Sequence, residues 1–309
     1  MNETTARPVD QAAVRQALPS LPPESAARFA ARLGGGNLGG TVTAEETEIL
    51  CRESGLARDQ FMIAMVGVAA LLAKVPTSGY PVGVVSLGAT TGHLYFGANL
   101  EYPGRPLDTC VHAEQAATVN AWAHGESGLT ALAASVAPCG FCRQFLWELD
   151  AADSLQIVLP TGTTTLGALL PDPFGPTALG QSARLMQSAD HQLTFHPASN
   201  DAVICRALAE ANRSYAPYTG NHSGAALQTT SGRIFGGAYA ENAAYTPSLS
   251  PMAAAVSQMN VLTGAIDIVR AVLVQRMFEP PQADHASAAS ALVTSLASSV
   301  TLECYTVID

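Results

Sequence analysis

The chain writes one pattern twice. Gly83…Thr91-Gly92…Phe96-Gly97-Ala98-Asn99-Leu100-Glu101 can be laid over Gly224…Ser231-Gly232…Gly236-Gly237-Ala238-Tyr239-Ala240-Glu241. Nine residues separate Gly92 from Glu101, and nine separate Gly232 from Glu241. A repeat of this kind means that the second half builds what the first half builds, and 309 residues are enough for two domains with a large core. In the first copy the apolar run Phe61–Ala73, stopped by Lys74, is too short to cross a bilayer and reads as a buried helix. Val82–Ser86 and Leu94–Ala98 are strand-like around a Thr91-Gly92 turn. Helix is expected over Glu114–Ala123, strand over Leu132–Val136, helix over Cys139–Leu149 and strand over Gln156–Leu159. Strands alternating with helices predict a layered α/β domain.

The chemistry sits in the first copy only. His112-Ala113-Glu114 and Pro138-Cys139-Gly140-Phe141-Cys142 match the zinc deaminase signature H-x-E…P-C-x-x-C. His112, Cys139 and Cys142 make three metal ligands, which leaves one coordination position for water. Pro138 suits a strand-to-helix turn, with Cys139 entering the first helical turn. Cysteines at i and i+3 share a helix face, and a helix N-terminus favours the thiolate. Zinc with two thiolates and a neutral imidazole is formally neutral, which suits ionisation of a bound water near neutral pH. Glu114 is not needed to hold the metal and is free to carry protons, with a pKa raised if the pocket is dry. The competing reading, a structural zinc knuckle, needs a fourth ligand, for which Cys110 is the nearby candidate. Ser250-Pro251-Met252 falls where the first copy has His112-Ala113-Glu114, and no Pro-Cys-x-x-Cys follows. The expectation is one zinc per chain and a degenerate, metal-free second copy.

Charge narrows the partners. With 15 basic against 25 acidic residues the net charge is −10, and no cluster of four or more basic residues offers a grip on phosphates. Nucleic acid is therefore a poor candidate partner. Charged residues are only 13 % of the chain, against roughly 25 % on average. So little charge on a large surface points to burial in an oligomer. Met1–Gln11 holds no hydrophobic segment of a signal peptide, so the sequence reads as a soluble cytoplasmic protein. The six cysteines form no disulfide framework.

Around the repeats, Pro22-Pro23-Glu24 opens a helix that ends near Gly34-Gly35-Gly36, and Thr43 with Glu46 makes a capping box for another that ends at Gly55. Pro160–His196, rich in Thr, Gly and Pro, reads as connecting chain, with an extended Pro171–Pro176. Ala286–Ser298 reads as a plain helix before a final strand, Leu302–Ile308. The expected division is an N-terminal helical segment (1–47), a catalytic zinc domain (48–178), a linker (179–194) and a degenerate copy (195–309).

From about residue 48 onward the chain resembles the two-domain, homodimeric cytidine deaminases. The resemblance is carried by Tyr80-Pro81-Val82-Gly83, Phe96-Gly97-Ala98-Asn99-Leu100-Glu101, Val111-His112-Ala113-Glu114-Gln115 and Pro138-Cys139-Gly140-Phe141-Cys142-Arg143-Gln144-Phe145. Asp172-Pro173-Phe174-Gly175-Pro176 and Ala240-Glu241-Asn242-Ala243 extend it. It implies a three-layer α/β/α fold with a central mixed sheet, present in a catalytic and a degenerate copy. It also implies roles. Asn99 and Glu101 would hydrogen-bond the ribose hydroxyls, with Leu100 and Ala113 also at the substrate. Tyr80 stands where an aromatic, more often phenylalanine, packs on the pyrimidine, and Ala137 where Ser or Thr is frequent. Phe174 and residues near Tyr239–Glu241 would close the neighbouring subunit's pocket. A carboxylate at Glu101 accepts hydroxyl protons but repels a phosphate held nearby, which favours a free nucleoside. The activity so implied is hydrolysis of cytidine and 2′-deoxycytidine to uridine and 2′-deoxyuridine with release of ammonia. The alternatives are a deaminase of nucleotides or polynucleotides, or a non-catalytic zinc-stabilised interaction protein. A guanine or blasticidin-type deaminase shares the metal motif but not the second repeat.

Overall fold

A computed structural model describes residues 11–19, 21–34, 40–277 and 284–307. Met1–Asp10 of the segment read for a leader, Gly35 and Gly36 at the expected helix end, and Ile308 of the last strand lie outside the described residues. The N-terminal segment holds α1 (Gln11–Ala17), α2 (Pro23–Gly34), β1 (Thr41–Val42) and α3 (Ala44–Ser54). Thr43 Oγ1 caps α3 by accepting the Glu46 N–H, and Gly55 ends it in the left-handed region, as the sequence predicts.

The first repeat runs α4 (Arg58–Ala70), β2 (Gly83–Gly88), β3 (Leu94–Ala98), α5 (Ala113–Ala123), β4 (Leu129–Ala134), α6 (Gly140–Leu146) and β5 (Gln156–Leu159). β6 (Gly162–Thr165) and α7 (Leu166–Leu169) follow. The second repeat runs α8 (Ala202–Asn212), β7 (Ser223–Gln228), β8 (Ile234–Ala238), α9 (Pro251–Thr263), β9 (Arg270–Arg276), α10 (Ala286–Leu296) and β10 (Leu302–Val307). The strand expected over Leu132–Val136 begins and ends earlier. β4 is held in antiparallel register with β2 up to Val84↔Ala134, and beyond it Val136 is exposed. The start of the stretch read as connecting chain is sheet instead, because β6 returns on β5 as a hairpin, with Gln156 opposite Thr165.

The first sheet has the order β1-β3-β2-β4-β5-β6 and the second β10-β9-β7-β8. Each mixes parallel and antiparallel neighbours: β4 with β5 and β9 with β10 are parallel. Alternation along β2 sends Val85 and Leu87 towards Phe61, Met62 and Met65 of α4, and Val84 to the opposite face with Ala113, Ala116 and Ala117 of α5. In β9, Val272 and Val274 face α8, while Ala271 and Leu273 face the side of α9 and α10. Each repeat is thus α/β/α, and the two share their middle helical layer. α5 is buried continuously from Ala113 to Trp122 and α9 from Pro251 to Val261, as helices with protein on all sides must be.

The recurring glycines have a steric cause. A Cβ on Gly97 would lie 2.2 Å from Ala113 O and Ala117 N, and one on Gly237 2.2 Å from Ala255 N. Helix backbone therefore rests directly on strand backbone, which fixes where α5 and α9 begin. Among the described residues no helix is long and apolar enough to cross a membrane.

Candidate metal centre and active site

Two helix N-termini meet at one point. His112 is the N-cap of α5. Cys139 is the N-cap of α6, one position before the first helical turn in which the sequence placed it, and Cys142 lies inside that turn. His112 Nδ1 is 3.2 Å from Cys142 Sγ and 3.6 Å from Cys139 Sγ, and the two sulfurs are 3.6 Å apart. A tetrahedral zinc with Zn–S of ~2.3 Å and Zn–N of ~2.0–2.1 Å sets such edges at about 3.6–3.8 Å. Two of the three edges match that ion, and the third, between His112 and Cys142, is shorter and would open slightly to take it. Among the described residues these donors are the only such group of three, and Cys110 does not join them. The Cys110 side chain instead acts on the His112 ring, where it is the first cause of an imidazole pKa raised to about 9. The hydrogen bond with Cys142 is the first cause that lowers Cys139 to about 5, so the exposed sulfur is the readier thiolate.

The loops that carry these ligands are tied down by polar side chains. Gln115 Oε1 accepts the His112 N–H at 3.1 Å, and Gln115 Nε2 donates to Pro247 O of the second repeat at 3.0 Å. Arg143 donates to Pro138 O and to Leu169 O, both at 2.7 Å, bracing the turn before Cys139. Phe141 stacks on the His112 ring with centroids 4.8 Å apart. None of these three was assigned a role from sequence; the Gln three residues after His112 carried a usable signal, the spacing of a capping box.

Glu114 sits in the first turn of α5 and is 7 % exposed. Burial raises its pKa, and its carboxyl contacts Cys142. Leu100 pairs with Val111, the residue before His112, through both backbone groups at 2.9 Å. This bridge ties the Asn99–Glu101 segment to the residue before His112, while the Leu100 side chain is buried in the core. Glu101 Oε2 accepts N–H groups of Thr77 and Ser78 at 2.8 and 3.0 Å. The hydrogen bond from the Ser78 side chain leads the causes that lower its pKa, so it is held as the carboxylate. Asn99 Oδ1 accepts the Val82 N–H at 2.8 Å and its Nδ2 donates to Tyr80 O at 3.0 Å, which shapes the Tyr80–Val82 segment. Ala113 is buried at the start of α5. Tyr80 and Phe174 are 62 % and 48 % exposed, so within one chain neither ring is covered.

The second repeat reproduces the frame without the ligands. Ala240 pairs with Leu249 as Leu100 pairs with Val111. Ser250, at the position of His112, caps α9 by accepting the Ala253 N–H; Pro251 follows it and Met252 is fully buried. Its loops also support the first site. The buried Glu148, two residues beyond α6, accepts hydrogen bonds from Tyr215 and Tyr218 hydroxyls at 2.7 and 2.6 Å and from the Ala243 N–H at 2.8 Å. Asn242 Nδ2 donates to Gln144 O at 2.9 Å.

Residues 56–157 and 166–288 each match a family described as the cytidine and deoxycytidylate deaminase zinc-binding region. The cytidine deaminases of Yersinia pestis (strain Pestoides F) and Yersinia pseudotuberculosis (strain YPIII) are each 44 % identical over 242 residues, covering 77 % of this chain and 81 % of theirs. Among solved structures, the cytidine deaminase of Mycobacterium tuberculosis is 34 % identical over 38 % of this chain and 96 % of that one, with a TM-score of 0.35.

Proposed function

Because the chain belongs to the cytidine and deoxycytidylate deaminase family, we propose that it is an enzyme that hydrolyses cytidine and 2′-deoxycytidine to the uridine products and ammonia. The observation that carries this reading is a buried carboxylate, Glu114, beside a three-donor zinc site. Zinc held by His112 Nδ1 and the thiolates of Cys139 and Cys142 supplies, when bound, Lewis acidity that makes a water molecule nucleophilic near neutral pH. Glu114 takes a proton from the attacking water and passes it to N3 of the pyrimidine; it then takes the proton of the new C4 hydroxyl and delivers it to the amine, which leaves as ammonia as the C4–N bond breaks and the carbonyl forms. Its raised pKa suits a group that must both accept and donate. Glu101 accepts ribose hydroxyl protons with the oxygen its backbone donors leave open, and Asn99 donates with its second amide hydrogen. A free nucleoside is favoured over a nucleotide because the Glu101 carboxylate would repel a phosphate.

The chain works as a homodimer in the cytoplasm. The exposed rings of Tyr80 and Phe174 support a site that is finished by a second copy, and the 13 % charge content supports a large covered surface. The division into residues 1–47, 48–178, 179–194 and 195–309, with zinc in the second of these alone, is part of the same reading. The test is Glu114→Ala with zinc counted. Zinc should stay near one per chain while turnover of cytidine falls by at least ~10²–10⁴-fold, the value of general acid–base catalysis. Near-normal uridine production would overturn the role of Glu114.

A further inference from the structure

The two sheets share the strand orders β3-β2-β4-β5 and β8-β7-β9-β10, but among the described residues only β3, and not β8, has a strand, β1, on its outer edge. There the chain lies in a groove between β3, α5 and α9. Gly40 O accepts the Phe96 N–H and Asn120 Nδ2, both at 2.8 Å, and Asn120 Nδ2 also reaches Phe96 O. The groove is so narrow that a Cβ on Gly40 would lie 2.6 Å from Val261 Cγ1.

The internal repeat places a second groove beside β8. The β7–β8 register copies the β2–β3 register residue for residue, so Gly236 stands for Phe96 and presents its N–H outward. Counting along α5 and α9 from their seats on Gly97 and Gly237 makes Gln258 the counterpart of Asn120 and Ala123 the counterpart of Val261. Ala123, Arg206, Arg233, Phe235 and Gln258 line this groove. Among the described residues no strand pairs with the outer edge of β8. Gln258 is 3 % exposed, yet its Nε2 has no acceptor, where Asn120 has two. A buried amide donor left unpaired is costly, and the cost is removed when a carbonyl arrives.

Charge says which segment fits. His93, which accepts the Ala44 N–H where β1 gives way to α3, is replaced by Arg233, whose guanidinium lies 5.0 Å from the centre of the Phe235 ring. Arg206 adds a second cation, already paired with Glu210. A chain running antiparallel to β8 would carry its C-terminal residues towards Arg233. Ala123 is smaller than Val261, so this groove does not demand glycine.

We propose that the outer edge of β8 is a docking groove for an extended acidic segment of a partner protein. The segment adds as a strand, with a carbonyl on Gly236 N–H and Gln258 Nε2 and carboxylates near Arg233.

The probe is a fluorescein-labelled peptide, LGGTVTAEE, with the sequence of residues 38–46, titrated with the full chain by anisotropy. Binding should be saturable, weaken about tenfold in Gln258→Leu, and weaken with added salt. Arg233→Gln should bind LGGTVTAEE no better than LGGTVTAQQ. All variants should keep their zinc and cytidine turnover. Should Gln258→Leu not fold, Ala123→Val serves instead. A peptide with alanine at the position of Gly40 should bind the parent chain and fail on Ala123→Val. Absence of saturable binding up to about 1 mM, or binding that neither Gln258→Leu nor Arg233→Gln weakens, would overturn the proposal. So would inorganic phosphate binding at Arg233 while the peptide does not bind, which would make the groove an oxyanion site.

Discussion

Glu101 and Glu114 are both buried carboxylates, yet their surroundings push them in opposite directions. Backbone and hydroxyl donors hold Glu101 ionised, whereas burial raises Glu114. The first is suited to accept hydrogen bonds and the second to trade protons. Glu101→Gln should lower kcat/KM for cytidine by about 10- to 100-fold, since hydrogen bonds to a charged group are worth ~1.5–3 kcal/mol. Steady-state kinetics on both nucleosides checks it. Equal losses for cytidine and 2′-deoxycytidine would place the partner at the 3′-hydroxyl, which both share. At this scale the sequence was legible where chemistry needs rare residue types at fixed spacing: His112, Cys139 and Cys142, which the fold gathers at one point. It was mute about Glu148, because a lone glutamate becomes meaningful only when Tyr215 and Tyr218, roughly seventy positions away, close on it.

Strands and helices were legible where the pattern is local. Leu94–Ala98 and Gln156–Leu159 form as read, because a turn or a change of composition bounds each. β1 has only two residues, and its pairing comes from the edge of β3 rather than from its own pattern. The helix-on-strand contact at Gly97 makes a sharp element-scale prediction. Gly97→Ala must push back α5, which carries His112 and Glu114, so it should cost ~1–3 kcal/mol as overpacking does and also speed zinc loss to a chelator. Gly237→Ala, with the same crowding under α9, should cost similar stability in urea unfolding and leave zinc release unchanged. A pH prediction belongs to β10. Hydrogen bonds from Arg270 hold Asp201 and Glu303 below their ordinary pKa values. The folded pKa values lie below the unfolded ones, so this contribution is present above about pH 4 and lost as pH falls through the folded values. Hydrogen exchange in β10 and the first turn of α8 should therefore quicken below about pH 4, and Arg270→Met should remove that dependence.

For the whole molecule, the repeat announced two similar halves but not how they meet. α5 and α9 are buried on every side, polar residues included, so their sequences show no exposed face from which to read what covers them. The contact offers a role for the half in which no ligand triad lies among the described residues. Gln115 leans on Pro247, Gln144 on Asn242 and Glu148 on two tyrosines, while Lys74 Nζ reaches Gly264 O at 2.9 Å and Asn260 Nδ2 reaches Leu72 O at 2.8 Å. Deleting residues 195–309 should therefore abolish activity and leave a chain that binds less than one zinc, measured by metal analysis and an ammonia-release assay. A fully active fragment would show that these ties are dispensable.

Glu241 occupies the place of Glu101 and still accepts N–H groups of Tyr218 and Thr219, at 2.8 and 3.2 Å, with no metal ligands beside it. The protein thus contains its own control. Both carboxylates fold a loop; the one proposed to hold a ribose is Glu101, while the second oxygen of Glu241 is taken by the Thr219 hydroxyl at 2.6 Å. The stability lost in Glu241→Gln gauges the architectural share of Glu101, and a fall in kcat/KM of Glu101→Gln beyond what an equal loss of stability produces is the share expected of the proposed sugar contact.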